Sequence, residues 1–287
     1  MLFRSIADCK LIRPNAQYFG FGRQIEWPNF GRRYVTPGVD QNGFVELGPC
    51  EDAYGIGDSL TLTPLIEALG GKVILKLPPT MEHIAPLFTD VCPVLFTEDY
   101  PVFKHYSHGG AWHMGEAKLR AFNITDKPYL PVMRITTEEK KDGQKYLDRF
   151  EFTKPLIAFC PTCSQIWAHV RQLSPEYWQP YIDQLSVKWQ VIQFGYESYP
   201  LLSGAFRFKG LKLRNIAILY SLIRRYIGVD TGDVHMMLAV GGSVLVLNPP
   251  KQPGHNPKEW EYAGCLAARY VNPDDQDAVQ AAVRRLC

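Results

Sequence analysis

The sequence lacks a strong net charge, a long apolar run and an ordered set of cysteines. Its 31 basic and 29 acidic side chains leave a net charge of +2 over 287 residues, so no global field favours nucleic acid or an anionic membrane. No apolar run reaches the roughly 20 residues of a membrane span, and the first residues contain no apolar signal region. Seven irregularly spaced cysteines fit reduced thiols better than a disulfide framework. We expect a cytoplasmic protein, with peripheral attachment to a membrane left open.

The complete glycine fingerprint of dinucleotide-binding domains is also missing, and so are internal repeats and low-complexity segments. The missing fingerprint disfavours an NAD-dependent enzyme. What the chain does have is 46% hydrophobic and 13% aromatic residues, enough for a sizeable core. Its length suits either one large domain or two domains of ordinary size, and we expect two.

Short apolar runs alternate with helical patterns from residue 43 onward. The run "GFVELGP" precedes "GIGDSLTLTPLIEALG", in which leucine and isoleucine recur at i, i+3, i+4 and i+7. "KVILKL", a helix around "MEHIAPLF" and "PVLF" continue this series, and a second series runs from "KPLIAFCP" to the helical "DAVQAAVRRL". The pattern predicts an α/β fold with parallel sheets, divided into an N-terminal domain over 1–132 and a C-terminal domain over 133–287.

Residues 1–40 form an irregular extension in which arginines alternate with aromatic residues, as in "YFGFGRQIEWPNFGRRY". In one interpretation the aromatic rings cover the edge of a core. In the other, the segment stacks on bases and touches phosphates. We favour the first, and the second would suit a DNA ligand.

Two clusters raise the question of metal or redox chemistry. Cys160 and Cys163 form a C-x-x-C pair. No second Cys or His pair accompanies it at zinc-site spacing, which argues against a zinc site. Either the spacing is a coincidence, or the protein is a dithiol oxidoreductase. His105, His108 and His113 straddle two glycines and cannot share one helical face. We expect no metal site.

The stretch "YIGVDTGDVHMMLAVG" is the most informative local pattern. An apolar strand ends at Asp230 and a helix begins close behind it, with Thr231 and Gly232 at the junction. Such a junction offers free backbone N–H groups and the positive end of a helix dipole to a phosphate, and His235 falls one turn further on. Alternatively, Asp230 and Thr231 cap the helix and His235 is an interior histidine. The carboxylate of Asp233 would repel a phosphate unless it points away.

A second junction, "YGIGDSL", places Asp58 at the opening of a helix. Gly55 and Gly57 flank a tight turn after the first predicted strand. The plain alternative is an ordinary strand-to-helix turn with Asp58 as its cap.

Together these motifs resemble those of glycosyltransferase family 9, the ADP-heptose:lipopolysaccharide heptosyltransferases. "GIGDSLTLTPLIEALG" is similar to the family's opening motif and "IGVDTGDVHMMLAVGGSVLVLNPP" to its donor-binding motif. "CPTCSQIWAHVRQLSPEYW" and "QFGYE" are similar to the segments between them, in the same order over residues 43–287. The resemblance implies a GT-B fold, in which two Rossmann-like domains face each other across a cleft and bind acceptor and nucleotide-sugar respectively.

The resemblance also implies residue roles. Asp58 would be the general base that takes the proton of the acceptor hydroxyl. Gly57, His113 and Glu116 are expected on the acceptor side. The residues expected to bind the donor are Thr162, Ser164, Arg171, Glu197, Asp230, Thr231, Gly232 and His235.

The predicted function is therefore that of an inverting, metal-independent glycosyltransferase with no cofactor besides its nucleotide-diphospho-sugar donor. The expected acceptor is a glycan or a lipid-linked sugar. Two alternatives stay open: a GT-B enzyme that acts on a modified base in DNA, and a non-catalytic GT-B protein that only binds nucleotide. The sequence does not predict an oligomeric state.

Overall fold

The computed structural model describes residues 24–26, 33–35, 44–47, 55–70, 72–96, 113–122, 124–163, 165–249, 261–262 and 264–286. The chain divides into two compact units, residues 1–134 and 135–287. The expectations for Ser164, His105 and His108, and most of those for residues 1–40, lie outside the described residues.

The first unit contains a pair of short antiparallel strands and a three-stranded parallel sheet with strand order β3-β4-β5. Its strands are β1 (Gln24–Glu26), β2 (Arg33–Val35), β3 (Val45–Leu47), β4 (Val73–Leu77) and β5 (Val94–Phe96). Its helices are α1 (Ile56–Leu60), α2 (Thr63–Ala68), a 3-10 helix (Pro79–Phe88) and α3 (Met114–Ala121).

The apolar residues that recur at helical spacing in this unit lie in its core. Leu62, Leu65 and Ile66, the residues at helical spacing, are at most 1% exposed. The helix expected around "MEHIAPLF" forms as a 3-10 helix, and Pro86 lies inside it. Proline has no backbone N–H and its ring clashes with the preceding turn, so a regular α-helix is disfavoured here.

The second unit contains a six-stranded sheet covered by helices. Its strands are β6 (Leu156–Cys160), β7 (Gln190–Gln193), β8 (Ala205–Phe206), β9 (Arg225–Val229), β10 (Ser243–Leu247) and β11 (Ala268–Val271). Its helices are α4 (Thr137–Leu147), a 3-10 turn (Asp148–Phe150), α5 (Gln165–Arg171), α6 (Pro175–Ser186), α7 (Leu213–Ile223), α8 (Gly232–Ala239) and α9 (Gln276–Leu286).

All strands of this sheet are parallel, in the order β11-β10-β9-β6-β7-β8. The chain runs outward from β6 through β8, then returns to β9 on the other side of β6. This is the doubly wound Rossmann order, and its direction reverses between β6 and β9. Ligands of open parallel sheets bind outside the carboxyl ends of the strands at such a reversal. The expected α/β class with parallel sheets is confirmed.

A glycine permits the close contact between β6 and β9 at this reversal. Cys160, the last residue of β6, is opposite Gly228 of β9. A Cβ atom at Gly228 would collide with the carbonyl oxygen of Cys160, which explains why this position has no side chain. At the start of α6, Ser174 caps the helix by accepting from the Tyr177 backbone N–H at 3.2 Å, and Pro175 occupies the first turn.

Candidate functional site

The segments predicted to bind the donor all leave the sheet of the second unit at the carboxyl ends of its strands, which we call the carboxyl edge of the sheet. Thr162 follows β6, Asp230 and Thr231 follow β9, and these two strands are neighbours. The loop after β7 leaves the sheet beside them, and the Phe194 backbone N–H donates to the Phe159 carbonyl at 2.7 Å. The three loops therefore leave the sheet at the point where the strand order reverses.

Thr162 connects two of these loops. It is buried, and its Oγ1 accepts a hydrogen bond from the Tyr196 backbone N–H at 3.1 Å. The neighbouring Gly195 has φ +95, and a Cβ there would collide with Thr162 Oγ1, so glycine is required on both counts. Thr162 thereby fixes the loop that carries Glu197, whose side chain is exposed.

Arg171 and Asp230 form a buried ion pair. Arg171 Nη1 lies 3.1 Å from Asp230 Oδ2, with side-chain exposures of 9% and 1%. The pair connects the last residue of α5 to the end of β9. Since a buried charge is costly without its partner, each residue holds the other in place. The structure thus brings together two residues that are 59 positions apart (230 − 171).

The start of α8 follows Asp230 directly in the sequence. Thr231 is extended, with φ −157 and ψ 172, and its side chain makes no capping hydrogen bond. Thr231 is therefore the N-cap residue, as the simple alternative predicts, but its side chain does not form the cap. Gly232 begins the helix and adds no side chain in front of its first turn.

The carboxylate of Asp233 is held by two side chains of the fold. Its Oδ1 accepts from the Tyr220 hydroxyl at 2.5 Å, and its Oδ2 from Cys160 Sγ at 3.6 Å. Burial raises the pKa of Asp233 above its ordinary value, although these two hydrogen bonds act in the opposite direction. A phosphate at the first turn of α8 would thus meet a carboxylate already bound to donors from α7 and β6.

His235 is buried one turn into α8. Its Nδ1 lies 2.5 Å from the hydroxyl of Tyr262, whose backbone N–H donates to the Tyr270 hydroxyl at 3.2 Å. The ring therefore has a fixed orientation and interior partners, as the second interpretation of this histidine predicts. A hydrogen bond from His235 to an anion would have to come from Nε2.

The C-x-x-C pair belongs to the interior of this unit. Cys160 and Cys163 are both buried and are not joined in a disulfide. Burial raises the pKa of Cys163 to about 11 and that of Cys160 well above its ordinary value. A reactive dithiol needs a depressed thiol pKa, so the two thiols are poor nucleophiles and the spacing is best interpreted as coincidence.

A cavity of about 560 Å³ adjoins Thr162. Its wall includes Gln172 and Ser174 between α5 and α6, and Tyr196 and Tyr199 from the loop after β7. This volume lies within the usual range for small-ligand sites, roughly 300–1,000 Å³.

In the first unit, Asp58 lies within α1. Its Oδ2 accepts from the Gly55 backbone N–H at 3.2 Å, so the carboxylate caps its own helix as the plain alternative predicted. Gly57 is buried beside it. Lys118 of α3, which the sequence analysis did not single out, donates from Nζ to the Asp58 backbone carbonyl at 2.7 Å and to Thr61 Oγ1. No motif marks this lysine, and the one signal is its place between the apolar Ala117 and Leu119.

His113 and Glu116 both lie on α3. His113 caps this helix by accepting from the Gly115 backbone N–H at 2.9 Å, and its ring stacks on Tyr129 with centroids 5.0 Å apart. Glu116 pairs with Arg120 at 2.7 Å. Both side chains thus contribute to the helix itself. Within the part of the chain that the structure describes, no three His, Cys, Asp or Glu side chains are grouped to hold a metal ion.

Solved structures share this fold. The chain superposes on the ADP-heptose LPS heptosyltransferase II of E. coli with a TM-score of 0.59 and 14% identity, over 84% of this chain and 98% of that one. A glycosyltransferase of family 9 from Veillonella parvula gives 0.58 and 12%, over 84% and 90%. The dodecameric iron-containing heptosyltransferase TibC, in complex with ADP-D-beta-D-heptose, gives 0.51 and 12%, over 79% and 61%.

No family model and no curated protein matches the sequence. The structural similarity nonetheless shows that the chain shares an α/β fold with parallel sheets with these glycosyltransferases, a member of family 9 among them. Among the described helices, none is long and apolar enough to cross a membrane.

Proposed function

We propose that the chain is an inverting glycosyltransferase, heptosyltransferase-like, that moves a sugar from a nucleotide-diphospho-sugar to an acceptor hydroxyl. The observation that carries this proposal is the edge of the Rossmann-ordered sheet where Arg171 and the start of α8 lie together beside the β6–β9 reversal. Such an edge suits a diphosphate because it combines a buried guanidinium with the N-terminus of a helix. The fold shared with ADP-heptose transferases makes a nucleotide-sugar the ligand of choice.

At this edge each donor residue has a distinct role in the proposal. The Arg171 guanidinium, oriented by Asp230, and the backbone amides of Thr231 and Gly232 offset the charge that develops as the nucleoside diphosphate leaves. Thr162, Ser164 and His235 complete the surroundings of the diphosphate. The exposed Glu197 accepts hydrogen bonds from the ribose hydroxyls.

Asp58 supplies the base. Its carboxylate takes the proton of the acceptor hydroxyl while that oxygen bonds to the anomeric carbon. The bond from the anomeric carbon to the diphosphate oxygen breaks on the opposite face, so the configuration inverts in one displacement. Gly57, His113 and Glu116 lie on the acceptor side of this assignment.

The base and the donor residues then belong to different domains, 1–132 on the acceptor side and 133–287 on the donor side. The reaction requires these domains to meet at a shared cleft, as the resemblance implies. We propose a cytoplasmic enzyme that acts on a glycan or a lipid-linked sugar without a metal or further cofactor. Full activity in EDTA would support metal independence, and loss of activity restored by iron would place the chain with TibC in this respect.

A thermal-shift screen of nucleoside diphosphates and nucleotide-sugars tests the donor site. A ligand that binds only the folded state at 100 times its Kd stabilises that state by about 2.7 kcal/mol, so one nucleotide should raise the Tm above the others. The selected donor is then assayed for transfer with candidate acceptors. A screen in which no nucleotide raises the Tm would contradict both the enzyme and the non-catalytic nucleotide-binding alternative.

A further inference from the structure

Lys118 is a fully buried lysine with an unusual pair of acceptors. Its exposed fraction is 0%, and its ammonium donates to the Asp58 backbone carbonyl and to Thr61 Oγ1. Lysine is almost never fully buried, because removing its charge from water is costly. Both acceptors here are neutral oxygens, so the chain buries this cation on the backbone of the very residue that carries the proposed base.

The contact lies at the end of α1, a helix that is too short to be stable without tertiary contacts. α1 has five residues, and Thr61 is its C-cap. Isolated helices this short are unstable in water, so the position of α1 depends on tertiary contacts. The last carbonyls of a helix have no partner within it, and a cation is favoured beside them. Lys118 supplies this cation from α3, 60 residues along the chain.

Asp58 is therefore held at two points. Lys118 and the Thr61 hydroxyl both donate to its carbonyl, each at 2.7 Å, and the Gly55 backbone N–H donates to its carboxylate at 3.2 Å. The two hydrogen bonds to the carbonyl fix the backbone of Asp58, and the one to the carboxylate fixes its rotamer. A shift of the carbonyl would carry the carboxylate with it.

We propose that Lys118 is a positioning residue for Asp58, which sets the place of the carboxylate by holding the Asp58 carbonyl. This inference rests on the proposed function of Asp58 as the base. Because Lys118 is fully buried, we expect it to make no contact with the substrate and to affect the rate of transfer rather than donor binding.

The test compares Lys118→Met with wild type and with Lys72→Met. Methionine keeps the length of the side chain but cannot donate, whereas Lys72 is an exposed lysine of the same unit and serves as the matched control. Because a displacement of about 1 Å can lower a rate about 100-fold, we expect kcat to fall roughly 10- to 100-fold in Lys118→Met. The Kd and KM for the donor should stay within about twofold, since the donor residues lie on other elements.

Hydrogen exchange gives a readout apart from activity. In Lys118→Met the amides of residues 55–61 should exchange faster than in wild type, while those of residues 156–171 keep their rates. Lys72→Met should change neither the exchange rates nor kcat. A kcat equal to that of wild type in Lys118→Met would overturn the inference, and so would a fall in kcat accompanied by an equal loss of donor affinity.

Thr61→Val keeps the question decidable if Lys118→Met does not fold. This variant removes one acceptor and one donor to the Asp58 carbonyl but keeps the cation. It should lower kcat less than Lys118→Met, again with donor binding unchanged, and an unchanged kcat would overturn the inference. A wild-type protein that binds nucleotide but transfers no sugar would instead refute the proposed function, and it would be recognised before any variant is compared.

Discussion

The two units hold their proposed functional groups in opposite ways. In the second unit, side chains contact other side chains: Asp230 pairs with Arg171, and Tyr220 donates to Asp233. Between them lies the start of α8, where the backbone N–H groups are the proposed binding groups. In the first unit, the proposed base is the side chain of Asp58, and a buried lysine holds its backbone. A substitution should therefore affect binding and stability in the second unit and the rate of transfer in the first.

Replacement of the base should have the largest effect. In Asp58→Asn the amide oxygen can still accept from the Gly55 N–H, but the side chain cannot take a proton. General-base catalysis typically contributes 10²- to 10⁴-fold, so transfer should fall by about that factor while the nucleotide Kd stays unchanged. Transfer at the wild-type rate would show that Asp58 is only a helix cap.

Loss of the buried Arg171 guanidinium should have the next largest effect. Arg171→Met leaves the Asp230 carboxylate buried without its partner, which should cost about 3 kcal/mol of unfolding free energy. Nucleotide binding should also weaken about tenfold or more, because a hydrogen bond to a charged group is lost. The double variant Arg171→Met with Asp230→Asn should regain most of the stability but not the binding. Urea unfolding and calorimetric titration measure the two effects, and full binding by the double variant would contradict the donor-site assignment.

Asp233 should give a smaller effect that depends on pH. Burial raises the pKa of this carboxyl in the folded state, so the stability it contributes is present below its unfolded pKa and is lost as the pH rises through the folded value. Asp233→Asn carries no titrating group. The stability of Asp233→Asn should therefore rise relative to that of wild type as the pH increases from 4.5 to 8. Urea unfolding at both pH values measures this, and an unchanged difference would show that the carboxylate is fully compensated.

The cysteines should give the smallest effect. Since burial raises the pKa of Cys163 to about 11 and that of Cys160 well above its ordinary value, neither is a thiolate near neutral pH. Iodoacetamide at pH 7.5 should leave both unmodified in the folded protein, as mass spectrometry of the digest would report. Rapid labelling of either thiol, with loss of function, would revive the dithiol alternative.

Local patterns in the sequence were sufficient for the α/β class and for the places of Asp58, Asp230 and Thr231, because strand ends and helix starts are written in short apolar runs and turn residues. Contacts between distant residues were not predictable. Lys118 reaches Asp58 across 60 residues, and Tyr220 and Cys160 meet at Asp233 only when α7, β6 and α8 pack together. The helix around Pro86 was predicted but its 3-10 form was not, because an apolar pattern at helical spacing takes no account of the N–H that an interior proline lacks.

The central claim is that the edge between β6 and β9 binds the diphosphate of a nucleotide-sugar. Hydrogen exchange of the wild-type protein, with and without the nucleotide selected by the thermal-shift screen, tests this most directly. We expect slower exchange for the amides of residues 160–163 and 230–235. Protection confined to other elements, or none at saturating nucleotide, would contradict it.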